Sequence, residues 1–260
     1  SFAATGWAEE DGTWVYYNRD GERATDSWKK SGNNWYYLDS DGEMAIDQLI
    51  EDGDNYYYVD INGVMASNQW VAIENEDAGE DDEPEHYWYY FQANGKALTN
   101  GDNDKVSLKT INGKKYAFDD EGKMLYGWVT EDGELATGDD GWKDAKYYCG
   151  SWEDGSMKTG WQKVTVYDDE DGKDDDYDYW FNFKSNGEKR AWKDSAGKEN
   201  WKSNGKYYSF DGRGVMIYEW ALASGSTNAS SVSNWRYYNS PEDGARQTKG
   251  WFKVVAASSD

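Results

Sequence analysis

The 260-residue chain has little of what most globular domains are built on. It holds a single cysteine, Cys149, so no internal disulfide framework can form. Its one histidine, His86, excludes a His-rich zinc site. No serine or cysteine stands at a recognisable motif spacing from His86, so no Ser-His-Asp set can be composed. Leu, Ile and Val are scarce, although cores normally rest on branched aliphatics. Acids outnumber bases 51 to 27, for a formal net charge of -24. A phosphate-binding surface needs clustered Lys and Arg, so the charge argues against nucleic acid as a partner. It argues against anionic membranes on the same ground. No run is apolar enough to span a bilayer, so no membrane insertion is expected. No signal peptide is visible, and the abrupt start at Ser1 reads as a mature fragment.

What the chain does have is aromatic: 16 Trp, 22 Tyr and 7 Phe, with 28 glycines against two prolines. Low aliphatic content and high charge suggest disorder, but disordered chains are also poor in aromatics. Here the aromatics are periodic. Trp28 to Gln48 passes a Gly-Asn turn, enters the block Trp35-Tyr36-Tyr37-Leu38 and closes on Asp39-Ser40-Asp41-Gly42 before Glu43-Met44. The same unit precedes it, ending at Gly21, and follows it, ending at Gly63. Later closing glycines are Gly95, Gly122, Gly155, Gly187, Gly214 and Gly244. Glycine reaches the positive φ that tight turns need. Each unit is therefore predicted to be a β-hairpin: strand Trp-Tyr-Tyr-Leu, turn Asp-Ser-Asp-Gly, short second strand. The segment carrying Trp28 or Trp70 is read as a connector between hairpins. Along a strand, Trp35 and Tyr37 share one face, and Tyr36 and Leu38 share the other. A lone hairpin is marginal in water. The fold expected is all-β, an elongated solenoid of stacked hairpins.

A longer period overlies the first. Glu76–Gly95 resembles Asp168–Gly187, and Asn112–Trp128 resembles Asn204–Trp220, each displaced by 92 residues. The chain is accordingly divided into an N-terminal array of about three 21-residue repeats over 1–69, a three-hairpin super-repeat over 70–160, and its second copy over 161–250. Trp251-Phe252-Lys253-Val254 begins a truncated further copy over 251–260.

The unit Gly-Trp-x(n)-Trp-Tyr-Tyr-x-x-x-x-Gly-x-Met resembles the choline-binding, or cell-wall-binding, repeats of Gram-positive surface proteins and lysins. Related repeats occur in glucan-binding domains of glucansucrases and in the C-terminal repeats of clostridial toxins. The resemblance covers almost the whole chain. It implies a ligand between successive hairpins, caged by a connector Trp, a strand Trp and a Tyr of the next hairpin. A quaternary ammonium cannot donate a hydrogen bond and is held by cation–π attraction and apolar contact. Carried over, this gives Trp7, Trp14 and Tyr37 for a first cage, and Trp28, Trp35 and Tyr58 for a second. Trp70 and Trp88, with Tyr116 as nearest partner, give a third. Trp161 and Trp180, with Tyr208, give a fourth, and Met44 and Met65 are candidates to line cage bottoms. Departures fall at Leu49, Tyr56, Lys115, Lys146 and Arg236, where the pattern has another residue.

The acidic inserts Glu74–Glu85 and Asp168–Asp178 invite a calcium reading. They lack EF-hand spacing, and a solvated hairpin tip is the preferred alternative. The resemblance implies a secreted, non-catalytic module at a bacterial cell surface or wall, with no cofactor. Its partner would be choline or a teichoic-acid-type polymer, or a glycan. Two alternatives stay open: a structural stalk whose aromatics only pack, and a glycan-binding repeat of toxin or glucansucrase type.

Overall fold

The computed structural model describes residues 5–192, 201–222, 235–238, 240, 242–247 and 254. Apart from Val254, the expected further copy over 251–260 lies outside the described residues. The described chain forms nine two-stranded antiparallel sheets and one short helix, Gly141–Asp144. The stacked-hairpin, all-β fold expected from the repeats is what forms. Two compact units are distinguished. One comprises Ser1–Asp102 with Phe118–Met124, and the other Asn103–Ala117 with Leu125–Asp260.

The hairpins pair in the direction opposite to that expected. In the second, strand Ser27–Ser31 runs back against Asn34–Leu38, so Trp28 is a strand residue and not part of a connector. The first hairpin is Gly6–Glu10 with Thr13–Tyr17, and the third is Gln48–Asp52 with Asn55–Val59. Two-residue turns decide this. Asp11-Gly12 has φ values of 52° and 79°, and Gly32 and Gly53 have 61° and 62°. Left-handed residues at these places give the twist that closes a two-residue hairpin. The Asp-Ser-Asp-Gly segment does something else. The Asp39 side chain accepts from the Asp41 and Glu43 amides at 2.9 Å each, and the chain makes one bridge, Leu38 to Met44, before leaving for the next hairpin. This is an Asx-type turn, and Asp60, Asp119 and Asp211 repeat it. Its glycine is doubly constrained at Gly63. There φ is +82°, and a Cβ would meet Met44 Sδ at 2.9 Å.

One backbone hydrogen bond recurs between successive hairpins. In the first unit Met44 N donates to Trp14 O, Met65 N to Trp35 O, Ala97 N to Tyr56 O and Met124 N to Trp88 O, all at 2.8–2.9 Å. In the second unit Met157 N donates to Lys115 O, Lys189 N to Lys146 O, Met216 N to Trp180 O and Arg246 N to Tyr207 O, at 2.7–2.9 Å. The bond needs no particular side chain, so stacking survives where the aromatic pattern lapses.

In the first unit the core is a series of small clusters between hairpins, such as Ala45, Ile50 and Val59 under Trp28, Tyr37 and Tyr57. The second unit has a larger cluster, in which Trp142 of the short helix packs with Val164, Val166, Tyr179, Phe181 and Phe183. The strands Gly160–Asp168 and Asp175–Phe183 supply it. Asp168, expected in a solvated tip, is fully buried. It accepts from the Tyr179 hydroxyl and pairs with Arg213 at 2.9 Å. Burial alone would raise its pKa, but the Tyr179 hydroxyl, the Glu170 amide and Arg213 outweigh burial and hold it below the usual carboxylate range. Cys149 is buried, and desolvation pushes its thiol up to about 12, the behaviour of a packing residue.

Candidate functional site: aromatic hollows between hairpins

Residues directly opposite each other on paired strands point to the same side. Trp28 faces Tyr37 and Lys30 faces Trp35, so all four lie on one face of the second hairpin. That face meets the third hairpin. The ring it meets must come from the opposite face of its neighbour, and this parity selects Tyr57. The Trp28 and Tyr57 centroids are 5.1 Å apart. The expected Tyr58 is instead bonded through its hydroxyl to Asp47 and lies 6.2 Å from Phe91. Trp28, Trp35, Tyr57 and Met65 line an open hollow of about 550 Å³. Its rim carries Lys30, Asn33, Asn34, Ser67, Ala93 and Asn94.

The first hollow follows the same rule. It has a volume of about 360 Å³ and is lined by Trp7, Trp14, Tyr36 and Met44, with Ser31 and Asn62. Trp7 lies 5.5 Å from Tyr36 at an interplanar angle of 73°. Tyr37, expected here, belongs to the other face and packs on Trp28 at 4.9 Å. Trp14 and Trp35 are 44% and 39% exposed, so each offers a ring face to solvent.

A third hollow, of about 250 Å³, lies in the second unit and is lined by Trp161, Trp180, Tyr208 and Met216 with Glu242, Asp243 and Gly244. Trp161 is 4.9 Å from Tyr208 and 6.3 Å from Trp180. Tyr208 has the parity of Tyr36 and Tyr57, and the structure brings it together with Trp161 and Trp180. Trp70 and Trp88 occupy the equivalent places of the hairpin Gln69–Glu74 with His86–Phe91. Trp70 lies against Tyr90 at 5.2 Å and stacks on Phe118 at 5.8 Å.

Sequence reasoning missed a further wall. Each hollow is roofed by the closing turn of the hairpin after next: Asn62 before Gly63, Ala93-Asn94 before Gly95, and Glu242-Asp243 before Gly244. Their constant place, immediately before the closing glycine, is the signal that marks them.

Where the pattern departs, the junctions fill. At the third, Leu49 and Tyr56 pack against buried Tyr89 and Ala97. In the second unit Lys189 stands where Met44 stands, and its ammonium lies 5.3 Å over the Trp128 ring while donating to Trp142 O at 2.7 Å. That junction carries its own cation.

The hollows hold rings and thioethers, which suit a weakly hydrated cation or the apolar face of a sugar. Among the described residues no three His, Cys, Asp or Glu side chains converge as a metal site, and no helix is long and apolar enough to cross a membrane.

A family model described as "choline-binding repeat" matches residues 24–70. No curated protein matches the chain in sequence. Among solved structures, the choline-binding domain of CbpL from Streptococcus pneumoniae is similar over 95% of this chain and 100% of its own, at 22% identity and a TM-score of 0.53. The modular autolysin LytC from Streptococcus pneumoniae is similar over 94% of this chain and 47% of its own, at 19% identity and a TM-score of 0.51. The chain thus spans about half the length of that autolysin. These likenesses show the fold. The matched segment contains the second and third hairpins, which are thus similar to a choline-binding repeat, and the same backbone hydrogen-bond pattern continues beyond it.

Proposed function

We propose that the chain is a non-catalytic attachment module that binds choline-bearing polymers of a bacterial envelope and holds a secreted protein at the cell surface. One observation carries this reading: the same Trp-Trp-Tyr-Met quartet surrounds an open hollow three times, at Trp7–Met44, Trp28–Met65 and Trp161–Met216. Trimethylammonium carries a diffuse charge and no N–H, so ring faces and a thioether can replace its weak hydration. A single exposed cation–π contact contributes about 0.5–1 kcal/mol, so each hollow alone binds weakly. Several hollows on one chain raise avidity when one polymer reaches more than one of them. The rings and thioethers of the quartets move no proton, which fits binding without chemistry. LytC, about half of which is similar to this chain, has been solved in complex with a synthetic peptidoglycan ligand.

A second reading is favoured at one hollow. The Trp28–Met65 hollow is the largest, and its rim carries three amides, Asn33, Asn34 and Asn94. Amides pair with sugar hydroxyls while an exposed Trp face covers sugar C–H groups, so this hollow suits a glycan unit. We also read 70–160 and 161–250 as two copies of one three-hairpin period.

The test is a tryptophan fluorescence and calorimetric titration of the chain with choline, then with a glucan oligosaccharide. Saturable choline binding that weakens in Trp14→Ala and Trp161→Ala is expected. No response to either compound overturns both binding readings and leaves the aromatics as packing groups of a stalk.

A further inference from the structure

The three hollows share four walls and differ at the roof. The two residues before the roofing glycine are Ile61-Asn62 at the first, Ala93-Asn94 at the second and Glu242-Asp243 at the third. Only the third pair is acidic. The Glu242 carboxylate accepts from the Trp180 indole at 3.4 Å and from Lys163 Nζ at 3.1 and 3.3 Å. It therefore stands beside a cage ring. Lys163 lies opposite Trp180 across the hairpin, and its ammonium is 6.0 Å from the Trp180 ring. The hollow thus joins a ring cage to a carboxylate, and beside its lining stands an ammonium bonded to that carboxylate. The Lys163 and Trp180 contacts hold Glu242 below the usual carboxylate range, so it is ionised at neutral pH.

This matters for which cations fit. A primary ammonium is compact and strongly hydrated. Entering a cage of rings and a thioether, it would surrender N–H bonds to water without replacement. The Trp7–Met44 hollow has Ser31 and Asn62 at its rim and no carboxylate. At the Trp161–Met216 hollow a carboxylate can take those N–H bonds. We propose that the Glu242-Asp243 roof makes this hollow a site for ammonium groups that carry N–H bonds as well as for quaternary ammonium, with Lys163 as the resident cation that an incoming ammonium displaces. The inference rests on the attachment reading of the hollows and assigns the third a ligand class the first does not take.

The experiment follows the indole N–H signals of Trp7, Trp14, Trp161 and Trp180 by NMR in the full chain. Choline and ethanolamine, which differ in their methyl groups, are titrated separately. Choline is expected to move all four signals, and ethanolamine those of Trp161 and Trp180 alone. Glu242 is exposed, so its contribution is modest. Glu242→Gln should weaken ethanolamine about threefold, and Lys163→Met should tighten it by a similar factor. The retained choline response of Trp161 and Trp180 serves as the internal control for folding of this hollow in both variants. Added salt should weaken the ethanolamine response, because the carboxylate term is screened. Ethanolamine moving no signal or all four, or unchanged ethanolamine affinity in both variants, overturns the inference alone. Choline moving none of the four overturns the attachment reading and the inference together.

Discussion

The second and third junctions have one backbone and opposite outcomes. At the second, Trp28 and Trp35 meet Tyr57 and Met65 around an open hollow, and Trp35 keeps 39% of its surface exposed. At the third, Leu49 and Tyr56 occupy the two Trp positions, and Tyr89 and Ala97 those of Tyr57 and Met65. Tyr89 is 3% exposed and Ala97 8%. The stacking hydrogen bond is the same in both, Met65 N to Trp35 O at 2.9 Å and Ala97 N to Tyr56 O at 2.8 Å. Side chains therefore do not decide whether hairpins stack. They decide whether the junction is left open. Two broad indoles hold the faces apart, whereas Leu, Tyr and Ala collapse into a core.

The most damaging test of this comparison exchanges the ring each junction buries. Tyr89→Ala should cost about 3–5 kcal/mol, as for a large buried aromatic, and Tyr57→Ala about 1–2 kcal/mol because its site is partly solvated. Urea unfolding measures both, and equal losses would erase the distinction between core and hollow. Next in size is ligand binding. Trp35→Ala should weaken ligand at the second hollow about tenfold while shifting stability by less than about 1 kcal/mol, read by titration and urea unfolding on the same preparation. A smaller gain is expected from Lys189→Met. Emptying the face of Trp128 should add a choline-dependent quench of that residue, seen as extra fluorescence change relative to the parent chain.

The smallest effect is on pH dependence. Burial, then the hydrogen bond to Asp47, pushes the Tyr58 phenol up to about 12. A raised folded pKa means that the neutral phenol stabilises the fold fully below the ordinary tyrosine value of about 10. That contribution is lost as pH rises through about 12. Stability measured between these limits should fall more gently in Tyr58→Phe than in the parent chain.

Much of this was legible in the chain. The nine closing glycines mark nine hairpins, and Trp7, Trp14, Trp28, Trp35, Trp161 and Trp180 are brought to hollows. The hairpin direction was legible too, in Asp11-Gly12, Asn112-Gly113 and Asn204-Gly205, each with positive φ at both residues. The Asp-x-Asp-Gly segment carries a competing turn signal, because it also contains glycine. Tyr36 and Tyr57 were missed by one residue. Alternation along a strand gives two faces but does not say which face looks toward which neighbour. Trp142 gave no repeat signal, since it stands in a four-residue helix inside a loop, yet it anchors the core of the second unit.

The sequence by itself determined the fold class and the ring-bearing positions, because the repeat fixes turn chemistry and strand parity locally, unit by unit. Only the tertiary structure decided which rings share a hollow, which junctions close and which turn roofs them. Those outcomes depend on a stacking bond between hairpins and on the size of side chains brought together from three different units. A local pattern encodes the parts of such a site, and the offset between neighbours assembles it.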